Sequence, residues 1–141
     1  MIDLLTIAFL CFTYSPSQSE TVIENELKEY KIALEESRIQ DKPLLILFTS
    51  DECANNIKTN VLIEESEATN ALLKEDYIFL KLVVTRENAK RLAKFEIDKF
   101  NMNRQPYYVI TDHTERIIDT SGFIPTEEEL LKFLKGGLVL H

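Results

Sequence analysis

The sequence predicts an α/β domain, with a central mixed β-sheet of about four strands flanked by helices and an extra helix on the N-terminal side. Three observations carry this. Two apolar runs, Leu44–Phe48 and Tyr77–Thr85, are interrupted by one charge, Lys81, as in strands covered on both faces. A helical pattern lies between them, which makes a βαβ unit and hence a parallel pair with a right-handed crossover. Further on, Tyr107–Thr111 and Arg116–Asp119 flank a polar turn, Asp112–Glu115, as an antiparallel hairpin would.

In chain order, Thr21-Val22-Ile23-Glu24 has the spacing of a capping box. Ile23, Leu27, Tyr30 and Leu34 then recur at helical spacing. Pro43 ends that helix, because it disfavours helix in the residue before it and cannot donate to a ladder. After the first strand, Thr49–Glu52 reads as a turn, and Cys53 opens a helix with Ile57, Val61 and Leu62 on one face. Ala68, Ala71 and Leu72 suggest a short second helix. Ala89, Leu92, Ala93, Glu96 and Phe100 outline another, stopping before Asn101–Gln105. Thr126-Glu127-Glu128-Glu129 is a second capping box, and Gly136-Gly137 is expected to stop the last helix. This order resembles that of a thioredoxin fold, and the resemblance implies that the proline opening the strand after the Ala89–Phe100 helix is cis. We therefore expect a cis Gln105–Pro106 bond.

At 141 residues one domain is expected, and 45% hydrophobic residues with 3 Gly and 4 Pro exclude a disordered chain. A net charge of −8 argues against a nucleic-acid partner. The basic residues Lys28, Lys31, Lys58, Lys74, Lys90, Arg91 and Lys94 are scattered among acids and read as solvated helix faces. Leu4–Thr13 is apolar but too short for a membrane span, which needs roughly 17–25 residues. It fits a signal-peptide core, with Ser17-Gln18-Ser19 as the cleavage site, so residues 1–19 are read as a leader and 20–141 as the mature domain. Met1-Ile2-Asp3 brings no Lys or Arg to its leading end. Acylation of Cys11 would need a small residue before it, and Leu10 is not small. The expected location is periplasmic or secreted, with membrane contact only through an uncleaved N-terminus; if the N-terminal segment is not a signal, the protein is cytoplasmic.

The chemistry concentrates in Pro43–Asn60, PLLILFTSDECANNIKTN. A sulfur at the end of a central strand and the start of a helix meets unpaired N–H groups and the positive dipole end, which favour the thiolate. In such sites a thiol pKa can fall from about 8.5 to roughly 3.5–7.5. Asp51 and Glu52 oppose that effect. A redox dithiol would place its second sulfur three residues on, where this chain has Asn56. No cofactor is expected. A metal is not expected either, because neither His113 nor His141 lies within ligand spacing of Cys53.

The segments Lys42–Asn60, Phe95–Ile110 (FEIDKFNMNRQPYYVI) and Phe133–Leu138 resemble one thioredoxin branch. It is the C-terminal periplasmic domain of bacterial thiol–disulfide interchange proteins, in the stand-alone form of Bacteroidetes-type bacteria. The resemblance implies that Cys53 is the attacking cysteine of a degenerate C-x-N-C motif and that Asn55 is its internal Asn. It also implies that Gln105 and Pro106 form the substrate-facing cis-proline loop. Two positions depart from that family. Asn56 replaces the resolving cysteine, and Leu47 stands where a buried Asp relays protons to it. The two losses are coherent, since a relay has no task without the second thiol.

One thiol can attack a disulfide but cannot displace what it captures. Three readings stay open: a monothiol forming mixed disulfides with protein or peptide partners, a redox-inactive binding module, and an oxidoreductase resolved by an external thiol. Cys53 could also be a small buried remnant, and Asn56 the result of drift. Backbone beside Pro106 could pair with an extended peptide or merely shape a turn. Of Tyr107 and Tyr108, which alternate faces, one is expected in the core and the other on the substrate side. Oligomeric state is open.

Overall fold

Pro43 divides a helix from a sheet. In the computed structural model, which describes the backbone from Gln18 and the side chains from Leu27 to His141, α1 spans Gln18–Gln40 and β1 spans Leu44–Ser50. There follow α2 (Ala54–Glu65), α3 (Glu67–Asp76), β2 (Ile78–Val84), α4 (Ala89–Phe100), β3 (Tyr107–Thr111), β4 (Ile117–Ser121) and α5 (Glu127–Leu140). The sheet order is β2-β1-β3-β4. β1 runs parallel to β2, from Leu44 opposite Ile78 to Ser50 opposite Val84, and antiparallel to β3, with Phe48 opposite Tyr107. β3 and β4 form the antiparallel hairpin, with an irregularity at Ile110/Thr111. The α/β class and the mixed four-stranded sheet flanked by helices are thus as expected.

Alternation along β1 and β3 sends side chains to two cores. Leu44, Ile46, Phe48, Tyr107 and Val109 pack with Tyr30 and Ala33 of α1 and with Leu92 and Phe100 of α4. Leu45, Leu47, Tyr108 and Ile110 pack with Ile63, Leu73, Leu130 and Leu134 of α2, α3 and α5. With helices on both sides, the central strands need no polar face. This is why β1 and β3 read as unbroken apolar runs.

Several elements differ from the sequence expectation. The first helix is already formed at Gln18, so the Thr21 box lies inside it; nothing between Gln18 and Thr21 breaks a helix. Its inward side is Tyr30, Ala33 and Ser37, while Leu27 is exposed. The Ile23 side chain and the leader, apart from Gln18 and Ser19 at the helix start, lie outside the described residues. Thr49 and Ser50 belong to β1 rather than to a turn. They pair with β2, and Asn60 satisfies them: Thr49 Oγ1 donates to Asn60 Oδ1 at 2.9 Å, and Asn60 Nδ2 donates to the Ser50 carbonyl at 3.0 Å.

α2 turns Asn56, Thr59 and Ile63 inward, leaving Ile57 50% and Val61 44% exposed. In α3 the inward residues are Thr69 and Leu73, with Ala68 and Ala71 exposed. The last helix does not stop at Gly136-Gly137 but continues to Leu140. Gly137 serves a close approach instead: a Cβ there would lie 2.5 Å from both Ile110 Cδ1 and the Tyr77 hydroxyl. Thr126 does cap the helix start, accepting from the Glu129 N–H. Tyr107 and Tyr108 are both buried, because helices cover both faces of β3.

Candidate functional site

β1 delivers the chain to a corner at Ser50, and the corner presents Cys53. Cys53 is exposed and is the N-cap of α2, its carbonyl accepting from the Ile57 N–H at 3.1 Å. Its backbone sits at φ 67°, ψ 142°, a region that non-glycine residues rarely adopt and that costs of the order of 1–3 kcal/mol.

The groups that impose this conformation are polar and local. Asn56 Nδ2 donates to Ser50 Oγ and to the Glu52 carbonyl, each at 2.9 Å. Ser50 Oγ also donates to the Glu52 carbonyl at 3.0 Å and accepts the Glu52 N–H at 3.2 Å. Asn56 is 4% exposed, and its Oδ1 has no hydrogen-bond partner among the described residues. The carboxamide therefore fills the place three residues after Cys53 and ties the strand end to the turn. Ser50 and Asn60 were not singled out from the sequence. The available signal was three polar residues, Asn56, Thr59 and Asn60, on a helix that has to cover a core.

Leu47 is fully buried in the α2–α3–α5 core, so no carboxyl lies at that point of β1. Asp51 and Glu52 are exposed beside Cys53, and Glu52 forms a long, solvated 3.9 Å pair with Arg86. His113 and His141 are exposed, in the hairpin turn and at the end of the chain. Among the described residues no group of three His, Cys, Asp or Glu could hold a metal ion, and no helix is long and apolar enough to cross a membrane.

The Gln105–Pro106 peptide bond is cis. Because Phe48 lies opposite Tyr107, the antiparallel register brings Pro106 alongside the last residues of β1, at the end of the central strands from which the chain turns to Cys53. Asn101, at φ 54°, ends α4 and starts the loop that leads there. Gln105 Nε2 donates to Glu96 Oε1 at 3.3 Å. Glu96 is fully buried on α4. Burial pushes its carboxyl up to about 7, against a partial pull back from the Arg104 N–H, the Gln105 amide and the Arg104 charge. Its Oε2 has no hydrogen-bond partner among the described residues. The sequence shows Glu96 only as an acid in register with Leu92 and Phe100 on the helix's inward side.

A family model described as thioredoxin-like matches residues 25–112. Among solved structures, the chain is similar to the DsbH oxidoreductase, at 20% identity and a TM-score of 0.65, covering 77% of this chain and 81% of that one. It is similar to a thioredoxin from Thermus thermophilus at 18% identity and a TM-score of 0.59, covering 75% and 81%. A disulphide isomerase from Xylella fastidiosa Temecula1 matches at 15% identity and a TM-score of 0.52, covering 89% of each chain. At these identities the likeness is one of fold. No curated protein sequence matches the chain.

Proposed function

The chain belongs to the thioredoxin-like family, and from that premise we propose that it is a monothiol exchange protein acting through Cys53 on protein or peptide disulfides. The Cys53 thiolate attacks one sulfur of a partner's disulfide. The new S–S bond joins Cys53 to the partner, and the other sulfur leaves as a thiolate that takes up a proton. One disulfide is consumed and one is made, so no external electrons are required. With the proposed leader and its Cys11 removed, release then needs a second thiol from outside the chain.

The observation that carries this reading is the contrast between exposed Cys53 and buried Asn56. The attacking position is open to solvent, while the resolving position holds a carboxamide engaged with the turn. Gln105 and Pro106 are the proposed peptide-docking residues, supported by their place at the same end of the central strands as the β1–α2 turn. Ile57 and Val61, four and eight residues after Cys53, continue its side of α2 as an exposed apolar stripe, which suits a partner with apolar side chains next to its cysteine. The proposed setting is the periplasm, with residues 1–19 removed as a leader and 20–141 as one mature domain.

Incubation with a disulfide-linked peptide tests the reading. A one-to-one adduct on Cys53 that persists until glutathione is added supports it, and multiple turnover without added thiol contradicts it. The same apolar stripe also favours a second reading, a binding module without redox chemistry. Under that reading Cys53→Ser keeps full affinity for the partner.

A further inference from the structure

We infer that Glu96 is a positioning residue for the Gln105–Pro106 loop: its carboxyl reaches the loop from α4, fixes Gln105, and couples the docking of a peptide partner to its own protonation. The inference rests on the proposed use of that loop. Leu92, Glu96 and Phe100 lie at successive helical turns, and all three are buried. The cluster on which α4 packs is apolar and aromatic, including Tyr30, Phe48, Leu82 and Tyr107. A carboxyl in that company is expensive to bury unless hydrogen bonds compensate it. The compensation comes from the loop, through the Gln105 side-chain amide and the Arg104 N–H.

The charge that faces Glu96 is the Arg104 guanidinium. On its own helix, Lys94 pairs with Asp98 at 2.7 Å, Lys99 pairs with Glu115 at 2.8 Å, and Arg91 donates to the Glu87 carbonyl. Glu96 is therefore answered by the loop rather than by a neighbouring lysine. A carboxylate accepts from both loop donors, and charge-assisted bonds are the stronger kind. Protonation weakens that hold and leaves an O–H in a site where Oε2 has no partner among the described residues. The ionised form fixes Gln105, so docking next to Cys53 strengthens as pH rises through neutrality, where burial has moved this carboxyl.

The test uses the isotope-labelled full chain in nuclear magnetic resonance between about pH 5.5 and 8.5, a window centred on the shifted carboxyl. The expected result is that the Gln105 side-chain amide and the Arg104 backbone amide shift together with one midpoint near 7, and that Glu96→Gln removes the shift. In parallel, the rate of adduct formation with a peptide disulfide is divided by the rate with a small neutral disulfide, which cancels the ionisation of Cys53 itself. That ratio should rise severalfold across the window in the wild type and stay flat in Glu96→Gln. Should Glu96→Gln fail to fold, Gln105→Ala removes the other partner and should flatten the same ratio. Loop resonances that do not move in the wild type, or an unchanged profile in the folded variant, would overturn the inference. If Cys53 reacts with neither disulfide, the exchange reading fails, and the loop titration still decides the role of Glu96.

Discussion

Asn56 Nδ2 donates to the carbonyl oxygen of Glu52 at 2.9 Å, spanning Cys53, which faces solvent at φ 67° directly after that carbonyl. Together with the second bond to Ser50 Oγ, it makes the carboxamide a clamp on the thiol's own turn.

Asn56→Ala should cost about 1–3 kcal/mol, since it removes two hydrogen bonds between α2 and the turn, each worth roughly 0.5–1.5 kcal/mol net. Urea unfolding measures this. Asn56→Cys should instead create a disulfide with Cys53 that dithiothreitol opens, and the product should reduce insulin where the wild type does not. Two thiols that never pair would mean that the corner differs from the one described.

Cys53→Gly should raise stability by about 1 kcal/mol relative to Cys53→Ser, because glycine adopts φ 67° without the penalty that other residues incur. Both variants should lose partner capture. Equal stabilities would indicate that the turn relaxes at little cost.

Ile57→Asp and Val61→Asp should reduce adduct formation with apolar peptides severalfold. Their effect on stability should stay within about 0.5 kcal/mol, as expected at exposed sites. Equal reactivity toward apolar and polar peptides in the wild type would remove the stripe from the account.

The two glycines of α5 should respond with opposite signs. Gly136→Ala meets nothing within 4 Å and should stabilise by up to about 1 kcal/mol through helix propensity. Gly137→Ala would crowd Ile110 and Tyr77, and should destabilise by about 1–3 kcal/mol.

Stability should also respond to pH in two directions. Glu96 is raised to about 7, so the folded state keeps a proton that the unfolded chain gives up from about 4.5 upward. Stability from this group is complete below that point, falls toward pH 7 and levels off above it; Glu96→Gln should flatten the slope. Asp112 behaves oppositely. Burial would raise it, but hydrogen bonds from the Thr114 and Arg116 side chains and backbones outweigh that and bring it to about 2. Its contribution is present above the ordinary Asp range and is lost as pH falls toward 2.

The α/β class, the parallel and antiparallel pairings and the position of Cys53 were legible because apolar runs, Pro43 and turn chemistry act locally. The helix faces of α2 and α3 were not. Ile57, Val61, Ala68 and Ala71 look like core residues by hydropathy, but the polar ends of β1 require Thr49, Ser50 and the turn to be met by Asn56 and Asn60, which rotates α2 to bring amides inward. Gly137 was misread for a similar reason, since its contact with Tyr77 and Ile110 depends on elements 27 or more residues away. Glu96 was visible only as an acid on an apolar spacing, and the partner that explains it, Gln105, lies beyond the helix.

The central claim is that one sulfur captures a partner and keeps it. The most direct measurement is the intact mass of the purified chain after exposure to a disulfide-linked peptide, before and after glutathione. The account predicts a single adduct, absent in Cys53→Ser and released only by the added thiol. Free peptide thiols accumulating beyond one per chain without glutathione would contradict it.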